Sequence, residues 1–176
     1  YIELNEDEKK AIISLNIFRS FKKGTNLLKE GDFCNNSYFV LKGCIRLFYM
    51  VNGEEKTTTF YTENEGITPH CSISQEPSKY YLSCVEDTIL SITNPVMEAN
   101  IFNKFPKFEK LCRVLSEELM VKKQIDFDLY KISSPEKRYL DFLEKRPDLI
   151  QRIPQHQLAS FLGIKPQSLS RIKSRI

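Results

Sequence analysis

The sequence predicts an α+β chain in which an antiparallel β region leads into a long helix and then a small basic helical module. Three observations lead there. Between Thr25 and Thr93, short runs rich in Val, Ile, Phe, Tyr and Thr alternate with turn signals. After Pro95 the strand signals stop and apolar residues recur at helical spacing. Residues 131–176 hold 10 Lys/Arg against 4 Asp/Glu, net +6, whereas residues 1–130 are net −3. Such asymmetry points to a polyanionic partner for the basic part.

The elements follow in chain order. Leu4 to Phe21 places Ile12, Leu15 and Phe18 at helix-like spacing behind the acidic turn Glu6-Asp7-Glu8, so one short N-terminal helix is expected. The β region is punctuated at Glu30-Gly31-Asp32, Lys42-Gly43, Asn52-Gly53 and Glu65-Gly66. Its strongest signal is the hairpin of Ile45 to Val51 with Glu55 to Thr62, because Asn52-Gly53 accepts the positive φ angles of a type I′ turn. His70 falls in a loop-like stretch. A short helix is expected near Met97 to Phe105 and a long one from about Pro106. In the long helix Phe108, Cys112, Leu115 and Leu119 form a 4-3-4 seam, widened by Leu111, Val114, Val121, Ile125 and Leu129. Apolar positions on more than one face want two partners, the chain's own β region and the same helix of a second subunit. The alternative is a helix that packs on its own chain alone. Ser134 then caps a helix with Pro135 at its first position, Tyr139, Leu140, Phe142 and Leu143 on its apolar side, and Arg146-Pro147 at its end.

Ile153 to Ile176 carries the most specific pattern. Pro154 opens a helix with Leu158, Phe161 and Leu162 apolar, Gly163 turns the chain, Ile164 plugs the corner, and a second helix from Pro166 turns Leu169 and Ile172 inward. Ala159 is small where the two helices must cross. In a helix-turn-helix the second helix enters the major groove of DNA, and here it would offer Lys165, Pro166, Gln167, Ser168, Ser170, Arg171 and Lys173, with Arg175 beyond. Gln167 and Arg171 suit base edges, since Gln pairs bidentately with adenine and Arg with guanine. Lys165, Ser168 and Lys173 suit phosphates, which set affinity and register.

Composition narrows the class. With 41% hydrophobic and 28% charged residues among 176, the chain reads as an ordinary globular protein of one large or two small domains. Its apolar runs are too short for a membrane span and no signal-peptide pattern opens it. The five cysteines, Cys34, Cys44, Cys71, Cys84 and Cys112, lack the close spacing of zinc or iron–sulfur sites and read as reduced thiols of a cytoplasmic protein. The sequence starts with Tyr1 rather than Met and stops at Ile176 within an expected helix, so it is expected to belong to a longer chain.

Taken together, LLKEGD (Leu27 to Asp32), YFVLKGCIRLFY (Tyr38 to Tyr49) and LASFLGIKPQSLSRI (Leu158 to Ile172) resemble the Crp/Fnr family of bacterial transcription regulators over essentially the full chain. The resemblance implies three parts. Residues 1–105 would be a cyclic-nucleotide-binding-like β-roll, jelly-roll-like, acting as a sensor. Residues 106–132 would be a dimerisation helix and linker, joining a homodimer around 106–130. Residues 133–176 would be a winged-helix-type helix-turn-helix domain that ends here before its wing and reads a roughly palindromic double-stranded site.

The sensor departs from the family pattern. Members that bind cyclic AMP carry Gly-Glu and, about eleven residues after the Gly, Arg-Ser, for the ribose and phosphate. The matching stretch is Glu65 to Ser83, in which Gly66 is kept, Ile67 replaces the Glu, and Pro77-Ser78 replaces Arg-Ser. Each lost charge-assisted contact is worth roughly 1.5–3 kcal/mol. The effector pocket would involve Gly66, Ile67, Ser78 and Lys79, with Lys79 as a substitute charge, and the effector, if there is one, is expected not to be cyclic AMP.

Two other classes compete. A β-roll regulatory module acting on a protein partner would need no DNA reader, which residues 153–176 argue against. A cupin-type enzyme would need two or three His with a carboxylate in the barrel, and only His70 lies in the β region. No catalytic residue, metal site or cofactor is expected.

Overall fold

The computed structural model describes residues 5–175; Leu4 and Ile176, the first residue of the expected N-terminal segment and the last of the expected reader helix, lie outside them. Helix α1 (Glu6–Ser14) opens with a capping box, the Asn5 side chain accepting from the Glu8 N–H and the Glu8 carboxylate from the Asn5 N–H. It stops sooner than the spacing of Ile12, Leu15 and Phe18 predicts. Asn16 takes a left-handed φ of 49°, and Phe18–Phe21 is a strand, β1, rather than the helix's last turn. Its backbone pairs with a strand some seventy positions later, an attraction invisible to local periodicity.

The remaining strands are β2 (Asn26–Leu28), β3 (Ser37–Lys42), β4 (Ile45–Val51), β5 (Glu54–Tyr61), β6 (Gly66–Ile67), β7 (Tyr81–Cys84) and β8 (Thr88–Thr93). They form two four-stranded antiparallel sheets, in the orders β1-β8-β3-β6 and β2-β7-β4-β5. This is the expected β-roll. The β4–β5 hairpin closes through Asn52 (φ 54°) and Gly53 (φ 80°), with Val51 opposite Glu54. The Glu65-Gly66 signal shifts: Asn64 takes the positive φ of 67°, and Gly66 belongs to β6, opposite Phe39. His70 is helical, not looped, in α2 (His70–Ser74).

Leu28, Val40, Ile45, Ile67, Leu82 and Leu90 face one another between the sheets with Tyr38, Cys71 and Tyr80. Alternation along the strands produces this, one face turned to the core. Helix α3 (Pro95–Lys104), capped by Asn94 with Pro95 at its first position, leads into α4 (Pro106–Ile132), 27 residues long. No residue of α4 is buried. Its N-terminal part packs on α3, and Lys107 reaches Glu8 of α1 at 2.7 Å. In the expected seam Phe108, Leu115 and Leu119 are half-buried and Cys112 is exposed. Further along, Met120, Val121, Ile125, Phe127 and Ile132 are all more than half exposed, up to 80% at Ile132. Among the described residues no helix is long and apolar enough to cross a membrane.

Helix α5 (Pro135–Lys145) starts on the Ser134 cap, whose Oγ accepts from the Lys137 N–H at 3.2 Å. A 3-10 turn (Pro147–Leu149), α6 (Gln155–Phe161) and α7 (Pro166–Lys173) complete the chain. Tyr139 and Phe142 are buried as their spacing predicts, but Leu140 turns outward.

Candidate nucleic-acid interface

The α6–α7 pair is built around small and left-handed positions. Ala159 is fully buried at the crossing, with Leu158, Leu162, Leu169 and Ile172 around it. Gly163 has φ +70°, and a Cβ there would run into the Tyr130 hydroxyl of α4. The left-handed φ is what calls for glycine, while the Tyr130 hydroxyl, at the tip of a side chain, could swing aside. Tyr130 in turn lies beneath the Arg138 guanidinium, 4.3 Å from ring centroid to Cζ, so the turn is seated on α4 and α5 together.

With Leu169 and Ile172 inward, the opposite side of α7 faces solvent. Pro166, Gln167, Ser168, Ser170, Arg171 and Lys173 along α7, and Lys165 at its N-cap, are all exposed. Lys173 donates to the Gln155 carbonyl oxygen Oε1 at 3.1 Å. Lys165, at the start of α7, is close enough to the β4–β5 hairpin for its charge to help Lys56 hold the Glu54 carboxyl below its ordinary value.

A feature absent from the sequence pattern is the seam between this module and the β-roll. β5 is an edge strand, and α6 covers it: the Thr57 N–H donates to Ser160 Oγ (2.9 Å), and Ser160 Oγ–H donates to the Glu55 carbonyl (3.1 Å). An edge left bare would invite non-native pairing. Phe161, an expected apolar position of α6, packs between Phe60 of β5 and Phe142 of α5, with centroids 5.5 and 5.7 Å away. Beside it Arg152 forks onto Glu63, NH2 to Oε1 at 2.9 Å and NH1 to Oε2 at 3.1 Å, while its Nε donates to Glu86 at 2.9 Å. Arg146 donates to Thr62 Oγ1 at 2.6 Å. Desolvation pushes the Glu63 carboxyl up, but the bonds from Arg152 and the Gly43 N–H outweigh it and hold the group at about 2. Hydrogen bonds to Glu86 and then Glu63 raise Arg152 further above its already high value.

Between the same surfaces lies a cavity of about 450 Å³, lined among others by Arg46, Phe48, Tyr81 and Ser83 of the roll and by Pro154 and Gln157. Arg46 is buried there, its guanidinium 4.0 Å over the Phe48 ring and its NH1 2.6 Å from Glu55. The expected effector residues lie elsewhere. Ile67 is part of the roll's core, and Gly66 pairs with Phe39 beside it. Ser78 is buried with its hydroxyl donating to the Tyr80 carbonyl at 2.8 Å, and Lys79 is exposed. Tyr80 stands edge-on to Tyr49, 5.6 Å between centroids, and its hydroxyl accepts from the His70 N–H at 3.0 Å. Aromatic rings thus occupy the interior beside α2.

Comparison with known proteins agrees with this architecture. Residues 18–97 match the cyclic nucleotide-binding domain family. Among curated proteins none matches the chain significantly in sequence. FixK2 from Bradyrhizobium japonicum is similar in structure at a TM-score of 0.72, with 13% identity over 90% of this chain and 82% of that one. The c-di-GMP responsive global regulator CLP of Xanthomonas campestris gives 0.71, with 14% identity over 94% of this chain and 90% of its own. The catabolite activator protein of Thermus thermophilus gives 0.55, with 21% identity over 98% and 83%. At these identities the likeness is one of fold.

Proposed function

With residues 18–97 matching the cyclic nucleotide-binding domain family and the whole fold resembling that of Crp/Fnr-like regulators, we propose that this protein is a sequence-specific DNA-binding transcription regulator acting as a homodimer. The observation that carries the reading is the open face of α7. Gln167 and Arg171, with Ser168 and Lys173, are exposed on a helix anchored by Leu169 and Ile172, and Lys165 is exposed at its N-cap. Such a face fits a major groove, where Gln and Arg read base edges and Lys and Ser hold phosphates.

The exposed apolar residues of α4, Val121, Ile125 and Ile132 among them, support pairing with the same helix of a second copy. Two reader helices so joined would meet successive major grooves about 34 Å apart and favour a roughly palindromic site. The β-roll acts in this reading as the sensor, for an effector other than cyclic AMP. Ile67 and Pro77 supply neither the carboxylate nor the guanidinium that a cyclic nucleotide needs, and Lys79, two residues past Pro77, is the nearest cation to it in sequence.

The roles within α7 separate experimentally. On a DNA site the protein selects, Arg171→Ala is expected to weaken binding by about 1–3 kcal/mol and relax preference at one base pair. Lys173→Ala is expected to weaken specific and random DNA alike and to reduce the salt dependence. Competition binding against both kinds of DNA checks this, and equal losses on both for the two variants would contradict the assignment.

A further inference from the structure

Five thiols spaced 10, 27, 13 and 28 positions apart give no sequence signal for pairing. In the fold, two of them meet. Cys34 Sγ and Cys71 Sγ are 2.6 Å apart, about half an ångström beyond the ~2.05 Å of an S–S bond. Cys34 lies in the loop between β2 and β3, and Cys71 is the second residue of α2. Both backbones are already held there: the Gly31 N–H donates to the Ser78 carbonyl and the Ser78 N–H to the Asp32 carbonyl, each at 2.8 Å, while α2 is tied to Tyr80 through the His70 N–H. Little must move for the sulfurs to join.

We propose that Cys34 and Cys71 form a reversible dithiol–disulfide pair that exchanges with small thiols and disulfides and, when oxidised, staples α2 to the β2–β3 loop. The proposal goes beyond the DNA-binding reading and stands independently of it. Cys34 is partly exposed whereas Cys71 is 2% exposed, which sets the order of events. The Cys34 thiolate attacks one sulfur of a small disulfide RSSR, forming a mixed disulfide and releasing RS⁻. Cys71 then gives up its proton and attacks the Cys34 sulfur, releasing the second RS⁻. In sum two protein thiols are oxidised to one disulfide and RSSR is reduced to two RSH, with the two thiol protons taken up by the leaving thiolates. Excess RSH runs the same steps backwards.

Burial, and after it the hydrogen bond with Cys71, push the Cys34 thiol up to about 12. Thiolate is therefore scarce at neutral pH, so first attack is slow and accelerates with alkalinity. The pair suits slow poising against a thiol pool rather than rapid peroxide detection. Cys44 and Cys84 are buried in or beside the strands, and burial raises both thiols, Cys44 to about 12. Neither has another sulfur within bonding reach among the described residues.

The test equilibrates the full chain in glutathione buffers of graded reduced-to-oxidised ratio at pH 7 and pH 9. Samples are acid-quenched and alkylated, and the cysteine peptides are mapped by mass spectrometry. The expected result is loss of two of the five alkylatable thiols, joined as Cys34–Cys71, faster at pH 9 and fully restored by excess reduced glutathione. Cys71→Ser should instead leave Cys34 as a persistent glutathione adduct. Should that core variant not fold, the partly exposed Cys34→Ser serves: it should leave Cys71 alkylatable after unfolding at every ratio. Cys34 and Cys71 both free in the most oxidising buffer at pH 9, or bonded only to other cysteines, would overturn the proposal.

Discussion

Replacing Gly43 by alanine is expected to destabilise the fold by about 3 kcal/mol, from left-handed strain and overpacking together. Gly43 sits in the β3–β4 turn at φ +106°, where a Cβ would lie 2.5 Å from Thr88 Oγ1, 2.7 Å from Thr88 Cα and 2.8 Å from the Asp87 carbonyl. Two of those three atoms are backbone, at and just before the start of β8, where Thr88 pairs with Phe21 of β1, so rotating a side chain cannot relieve the contact. The turn must shift, and with it the Gly43 N–H that donates to Glu63. Gly53→Ala is the control: its φ is +80°, but a Cβ there meets nothing within 4 Å, so only the conformational penalty of about 1–2 kcal/mol remains. Denaturant unfolding of the two variants measures the difference. Equal losses would show that the turn accommodates the methyl.

Arg152→Ala is expected to loosen the seam between the helical module and the β-roll by about 1–3 kcal/mol, less than for a fully buried pair because Arg152 and its partners keep part of their water. The substitution removes a forked cation from between Glu63 and Glu86 and leaves two carboxylates side by side. Arg152→Lys should recover only part of the loss, since an ammonium cannot make the planar fork. The Thr57 N–H reports on the seam, because it donates across it to Ser160. Its hydrogen exchange should quicken by about 5- to 150-fold in Arg152→Ala, at tenfold per 1.4 kcal/mol. Acid should do the same to the unmodified protein. Glu63 is held at about 2 in the fold against an ordinary 4.5, a depressed value, so its contribution is complete above pH 4.5 and fades as pH falls toward 2. Exchange at Thr57 that is insensitive to both changes would remove Arg152 from the seam's energetics.

These residues also show what local pattern reveals. The β4–β5 hairpin was legible because Asn52-Gly53 encodes its turn within two residues, and the Ser134 cap, the Gly163 turn and the outward face of α7 were legible for the same reason. The strand Phe18–Phe21 was not, because its partner β8 lies far along the chain and its own spacing imitates a helix. Nor was the seam. Arg152 and Glu63 are 89 positions apart, and nothing near either predicts the other. The Cys34–Cys71 approach spans 37 positions and is equally silent. For the sensor, sequence revealed the lost ribose contact at Ile67 and the lost phosphate contact at Pro77, while the aromatic packing of Tyr49 and Tyr80 beside α2 emerged only from the fold.

A homodimer that places two α7 helices in successive major grooves is best tested by selecting fragmented genomic DNA from the source organism on the purified full-length protein, near physiological salt, and sequencing what is retained. The account predicts enrichment of a palindrome whose half-sites are centred about 10–10.5 base pairs, or a multiple of that, apart. Retention of random fragments only, or of a single unpaired half-site, would contradict it.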